Sequence, residues 1–196
     1  MMTKKDNPKI SIESKSEQEM VFTLSNVPVS FANMLRRCMI NSVPTFAIDE
    51  VSVYENNSSF FDEYITHRLG LIPLTTPSNA KIGEEVTLML DITGPGVFYA
   101  ESLKSTDKNV VPVYPSMPII KLLDEQNIRM ECKAVLAPGK THARHQPGLA
   151  VYEITENGFR FKVESYGQMS AEEILEKALS IIEDSAKDAE KNLKKE

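Results

Sequence analysis

The sequence predicts an α+β protein in which short antiparallel strands alternate with two long amphipathic helices. Three observations carry this. Apolar residues alternate with polar ones in several runs, as at Val86, Leu88, Leu90 and Ile92. Apolar residues recur with helical spacing at Phe31, Met34, Leu35, Cys38 and Met39, and again beyond Ser170. Asn157-Gly158 separates two alternating runs, a strong short-range hairpin signal.

In chain order, Lys9–Glu13 and Met20–Leu24 read as a hairpin, with Ile10 and Ile12 on one arm and Met20, Phe22 and Leu24 on the other. A helix over residues 31–43 follows, capped by Ser30 and ended by Pro44, which lacks an N–H and restricts Val43. Its other side carries Asn33, Arg36, Arg37 and Ile40, which is not a plainly solvated surface. Thr45–Glu55 is strand-like, and its phase changes at Asp49–Glu50, as at a bulge or a domain crossing. Phe60–Leu69 reads as a short helix closed by Gly70.

Strands are expected over Glu84–Ile92, Val97–Glu101, Val110–Val113 and Ile128–Leu136. Ala137–Gly148 is a loop rich in basic residues, and Leu149–Ile154 pairs with Phe159–Val163. The last helix starts at Ser170, whose hydroxyl and Glu173 form a capping box. Glu173–Lys177, Glu183–Lys187 and Glu190–Lys194 stand four apart in the favourable order, and Lys191, Lys194 and Lys195 suit the C-terminal dipole end. At 1.5 Å per residue this helix reaches about 37 Å. That exceeds the depth of a domain this size, so part of it is expected to project or pack on another chain.

Composition removes several function classes. The 196 residues are 41% hydrophobic and 26% charged, which is a globular balance. No apolar run approaches the roughly 20 residues needed to cross a bilayer. The start, Met1 to Lys9, is polar and carries no leader-like segment, so the expected location is cytoplasmic. A net charge of −6 argues against general nucleic-acid binding. Cys38 and Cys132 stand alone and read as buried apolar residues, which excludes four-cysteine zinc and iron–sulfur clusters within the chain. No cofactor and no metal is expected.

Catalytic motifs are equally scarce. There is no Gly-rich phosphate loop or nucleophile elbow. His142 and His145 stand three apart in a loop, with no cysteine or carboxylate beside them. A metal enzyme using that pair is a weak alternative, and no catalytic residue is assigned. Two features remain unexplained by a small isolated domain: the two apolar helix faces, and the grouping of Arg36, Arg37, His67, Arg68, Lys140, His142, Arg144 and His145 in an acidic chain. The first is consistent with packing on the chain's own sheet or on a second subunit. The second is consistent with surface charge, with carboxylate recognition by arginine, or with phosphate contact.

The string FANMLRRCMINSVPTFAIDEV, followed by DEYITHRLGLIPL and later by LAPGKTHARHQPG, resembles the RNA polymerase assembly-subunit family. That family includes an archaeal form, the eukaryotic third-largest polymerase subunit and the bacterial alpha amino-terminal domain, and the archaeal form is the best match. The resemblance implies a discontinuous dimerisation domain, residues 1–49 and 157–196, made of an antiparallel sheet with two long helices. A mostly-β domain, residues 50–156, would be inserted within it.

It implies a non-catalytic scaffold of DNA-directed RNA polymerase, active as a nucleotidyltransferase only within the holoenzyme. The chain would form a heterodimer with small subunit L, and the pair would be an assembly platform for subunits B, N and P in transcription. Phe31, Met34, Leu35, Cys38, Met39, Ile174, Leu175, Ala178 and Ile182 would face L. Asn33, Arg36, Arg37, His67, Arg68, His142 and Arg144 would meet the other subunits. Nucleic acid would be met only through the assembled polymerase. Thr75–Glu85 lacks the cysteines many relatives use for zinc, and Tyr152–Gly158 has no inserted cluster domain. A self-associating, alpha-like homodimer working in transcription without L is the alternative.

Overall fold

A computed structural model describes residues 7–194. The polar start at residues 1–6 and the dipole role of Lys195 lie outside the described residues. The fold is α+β, with antiparallel sheets and three α-helices among the described residues.

The chain divides into two compact units. The first comprises the chain through Val43 and from Gln146 onward. Its strands are β1 (Lys9–Lys15), β2 (Glu19–Ser25), β9 (Gly148–Thr155) and β10 (Gly158–Ser165), in the sheet order β1-β2-β10-β9. Met20, Phe22 and Leu24 on β2 lie opposite Val163, Phe161 and Phe159 on β10, so their buried side chains share one face. Phe22 and Phe161 stack with ring centroids 5.0 Å apart. The helices α1 (Val29–Asn41) and α3 (Ala171–Leu193) complete this core, and the Cys38 thiol donates to the Ala178 carbonyl at 3.4 Å.

The second unit runs from Pro44 to His145. Its main strands are β3 (Pro44–Asn56), β4 (Glu85–Thr93), β6 (Leu103–Ser105) and β8 (Asn127–Pro138), in the sheet order β3-β8-β4-β6. A two-stranded sheet pairs β5 (Gly96–Tyr99) with β7 (Pro118–Leu122). The helix α2 (Asp62–Gly70) buries Ile65 and Leu69 in this unit's core.

These boundaries differ from 50 and 157, and ladder hydrogen bonding explains why. Pairing of β3 with β8 begins at Pro44 and Pro138, ahead of the bulge at Ile48/Glu50. All of β9 pairs with β10, from Gly148 to Thr155, so β9 belongs with the first sheet.

Smaller differences have local causes. Pro28, not Ser30, precedes α1 and makes no side-chain cap; α1 starts at Val29, because proline's fixed φ suits a helix entry. Gly70 is the last residue of α2 rather than a left-handed cap, and Leu71 follows in right-handed geometry. The stretch 110–113 makes only an isolated bridge, Leu74 to Pro112, because proline cannot donate to a ladder. The Ser170–Glu173 capping box is present, with both hydrogen bonds made.

The hairpin between β9 and β10 turns on Glu156 and Asn157, and Gly158 is the first residue of β10, paired with Thr155. Gly158 has φ of +135°, and a Cβ there would lie 2.3 Å from the Leu24 carbonyl oxygen. Gly158→Ala is expected to destabilise the chain by at least ~1–3 kcal/mol, read as a lower urea midpoint.

Candidate subunit interface

In the first unit, α1 and α3 are both amphipathic, and each presents a stripe to the sheet. Of the nine residues expected to face a partner, Leu35, Cys38, Met39, Ile174, Leu175 and Ala178 are buried in the chain's own core. They share one cluster with Met20, Phe22 and Leu24 of β2, Ala150 of β9 and Phe159, Phe161 and Val163 of β10, and so fix where the two helices lie.

The residues left available lie at the margin of that core. Phe31 and Ile182 are half-buried, as are Leu179 and Ile181, and Met34 is 44% exposed. Ile10 and Ile12 sit opposite Leu24 and Phe22, on the core side of the sheet, yet remain 39% and 52% exposed on the edge strand β1. From residue 183 to 194, every residue of α3 and its cap is exposed.

On α1, Arg36 is half-buried and held in place, because its Nε and Nη2 donate to Asn33 Oδ1 at 3.3 and 3.0 Å. Arg37 is exposed and makes no ion pair among the described residues.

In the second unit the basic residues divide into two kinds. His67 is exposed. Arg68 is turned inward: Nε donates to the Ile119 carbonyl at 2.8 Å and Nη2 to the Pro118 carbonyl at 2.7 Å, with the guanidinium 5.8 Å from the Tyr64 ring centre. Arg144 donates from Nη1 to the Ile48 carbonyl at 2.8 Å and lies 3.4 Å from the Asp49 carboxylate. Its Nε donates to His142 Nδ1 at 3.1 Å. The Arg68 and Arg144 guanidinium groups thus donate to main-chain carbonyls of their own unit, while the exposed His142 accepts from Arg144 at Nδ1.

A groove lined by Phe60, Tyr64, Arg68, Val97 and Lys121 was not anticipated. The spacing of Phe60, Tyr64 and Arg68 at intervals of four was the available signal.

His145 is buried, with Nδ1 3.0 Å from the Thr45 carbonyl, while the Thr45 hydroxyl donates to the His145 carbonyl at 2.8 Å. A carbonyl only accepts, so Nδ1 carries the proton. Burial holds the imidazole below its ordinary pKa, outweighing the Thr45 carbonyl. The unfolded chain therefore binds more protons than the folded one once pH falls below the ordinary histidine value of about 6.5. Stability is full above that pH and is lost as pH falls toward the depressed folded value, with a slope of up to ~1.4 kcal/mol per pH unit. Urea midpoints between pH 7.5 and 5.5 should show this, and His145→Asn should flatten it.

Both thiols are protected. Burial raises the Cys38 thiol and pushes Cys132 up to about 12. Among the described residues, no group of three or more His, Cys, Asp or Glu could hold a metal ion. No described helix is long and apolar enough to cross a membrane.

A model of the RNA polymerase Rpb3/Rpb11 dimerisation domain matches residues 21–186. The chain belongs to that family. The match runs from β2 into α3 and so spans both units. The chain is 45% identical over 170 residues to DNA-directed RNA polymerase subunit Rpo3 of Methanocaldococcus jannaschii, covering 86% of this chain and 87% of that protein. It is 46% identical over 151 residues to subunit Rpo3 of Pyrococcus furiosus, covering 74% of this chain and 58% of the relative. Against subunit Rpo3 of Natronomonas pharaonis it is 45% identical over 142 residues, 72% of this chain and 58% of the relative. Family membership makes this an alpha-like RNA polymerase subunit, and its field of action DNA-directed transcription.

Proposed function

We propose that this chain is a non-catalytic assembly subunit of an archaeal-type DNA-dependent RNA polymerase, which pairs with small subunit L and with it forms a platform for subunits B, N and P. The observation that carries the reading is the family match over residues 21–186, joined to an apolar margin that the chain's own sheet leaves uncovered. Phe31, Met34 and Ile182 form the docking surface for L. Leu35, Cys38, Met39, Ile174, Leu175 and Ala178 act from beneath, by fixing where α1 and α3 lie. Enzymatic activity belongs to the assembled polymerase, in the cytoplasm, and the chain needs no cofactor of its own.

Co-expression with L followed by sizing tests the pairing. One complex containing both chains is expected; separate elution at micromolar concentration would overturn it. Within the platform, Arg37 is exposed and without an internal carboxylate among the described residues, which leaves its planar fork open to a partner's acidic side chain. Arg37→Ala is expected to leave pairing with L intact and to weaken binding of B by about 2–5 kcal/mol where that arginine meets a buried carboxylate. A pull-down with L and B reads both quantities.

A further inference from the structure

Asparagine is chemically labile, most of all before glycine, which has no side chain to shield its main-chain nitrogen from the neighbouring carboxamide. Asn157-Gly158 is the only such step in the sequence. Asn41-Ser42 and Asn57-Ser58, where the following side chain is small, come next.

The structure separates the three. Asn57 is locked: its Nδ2 donates to the Glu125 carbonyl at 3.2 Å, and its Oδ1 accepts from the Asn127 N–H at 2.6 Å. Asn41 is half-buried at the end of α1, and the Ser42 nitrogen that would attack it already donates to the Cys38 carbonyl at 2.9 Å. Asn157 stands exposed at the tip of the β9–β10 hairpin, and its side chain makes no hydrogen bond among the described residues. Gly158 forms the last rung of that ladder, opposite Thr155, and Ile154 of the next rung is 73% exposed. A terminal rung with so little apolar cover frays readily, which frees the Gly158 nitrogen.

We propose that Asn157 is the fastest site of spontaneous deamidation in this chain, and that the isoaspartate formed there loosens the first unit. The Gly158 nitrogen, losing its proton to water, attacks Asn157 Cγ. A bond forms between them, the Cγ–Nδ2 bond breaks, and ammonia leaves with the proton. Water then opens the succinimide. Addition at Cγ gives aspartate with the normal main chain; addition at the main-chain carbonyl gives isoaspartate, joined to Gly158 through Cγ. The net reaction is amide plus water to carboxylate plus ammonium, with no redox partner.

Isoaspartate puts one more carbon atom into the main chain of a two-residue turn. The strand beyond it has no slack, since even a Cβ on Gly158 would lie 2.3 Å from the Leu24 carbonyl oxygen. Next in line is Phe159, which is buried opposite Leu24 and packs edge-on against Tyr152 at 5.4 Å between centroids. It belongs to the cluster that seats α1 and α3, so a shift of register there weakens the whole unit. The new side group is a free carboxylate, which makes the aged chain a substrate for an isoaspartate-specific carboxyl methyltransferase using S-adenosylmethionine.

The test ages the full-length chain in mildly alkaline buffer and digests it with trypsin. The peptide His145–Arg160 should gain about 1 Da and accept methyl groups from such a methyltransferase, about tenfold or more faster than peptides holding Asn41 or Asn57. In urea that gap should narrow, as Asn41 and Asn57 lose their hydrogen bonds. Asn157 modified no faster than either in the folded chain, or a gap unchanged in urea, would overturn the site. For the effect on the fold, the isoaspartate form is separated by ion exchange and its urea midpoint compared with that of fresh Asn157→Asp, which carries the charge without the added carbon. A lower midpoint for the isoaspartate form alone is expected; equal midpoints would overturn the loosening. Asn157→Gln, which closes no five-membered ring, should keep its midpoint through ageing, and an equal decline in that variant would count against Asn157 as the cause. The modification needs no partner chain, so its failure leaves the assembly reading untouched.

Discussion

Leu175→Asp is expected to unfold the first unit rather than merely prevent pairing. Leu175 sits on α3, buried with Ile174 and Ala178 against the sheet made by β2 and β10. Removing a buried leucine side chain alone costs about 2–5 kcal/mol. A carboxylate placed there without a partner adds a desolvation penalty, or is driven to bind a proton at neutral pH. A chain with a total stability of about 5–15 kcal/mol has little left after that. Far-ultraviolet circular dichroism and urea titration should show loss of the cooperative transition of the first unit.

Met34→Asp is the informative contrast. Met34 is 44% exposed on α1, so the change should alter stability by no more than about 1 kcal/mol. If the proposed docking surface is right, it should nonetheless lower affinity for L by about 2 kcal/mol or more, roughly 30-fold. A folded Met34→Asp chain that co-elutes with L at native affinity would remove Met34 from the interface. A folded Leu175→Asp chain would contradict the packing of α3.

The two variants also show what was legible in the sequence. Periodicity located α1, α3 and most strands, because a stripe of apolar residues marks the side of an element that leaves water. It does not say what covers that side. Leu35 and Met34 are adjacent members of the same helical pattern, yet Leu35 is fully buried and Met34 nearly half exposed. The angle at which α1 lies on the sheet separates them, and that angle depends on long-range pairing. Short elements were illegible for another reason: β6, at Leu103–Ser105, has too few residues to show a period and is defined only by its pairing with β4. The bulge at Asp49 was legible because a one-residue insertion flips every following side chain, a change the sequence displays directly.

The basic residues expose a further limit. Arg37, Arg68 and Arg144 look alike in the sequence, and only carbonyl groups distant along the chain distinguish them. Arg144 has the clearest internal role. The register shift between Ile48 and Glu50 interrupts the β3–β8 ladder. At that point Arg144 Nη1 donates to the Ile48 carbonyl at 2.8 Å and to the Asp49 carbonyl at 3.3 Å. The guanidinium thus supplies donors where the bulge withdraws them. Gly70 gives it room: a Cβ at that position would come within 3.4 Å of Nη1.

Arg144→Ala should therefore destabilise the second unit by about 2–4 kcal/mol, since charge-assisted hydrogen bonds contribute about 1.5–3 kcal/mol each and a buried carbonyl would lose its donor. Thermal denaturation reads the loss, and faster amide exchange around Ile48–Glu50 locates it. Asp49→Ala should cost much less, because the Asp49 carboxylate is 48% exposed and exposed pairs contribute about 0–1 kcal/mol. Arg144→Lys separates charge from shape. An ammonium can reach one carbonyl but cannot also hold His142 through a second, fixed nitrogen, so Lys should recover only part of the stability. Full recovery by Lys, or equal losses for Arg144→Ala and Asp49→Ala, would mean that the ion pair and not the bulge carbonyls sets the role of Arg144.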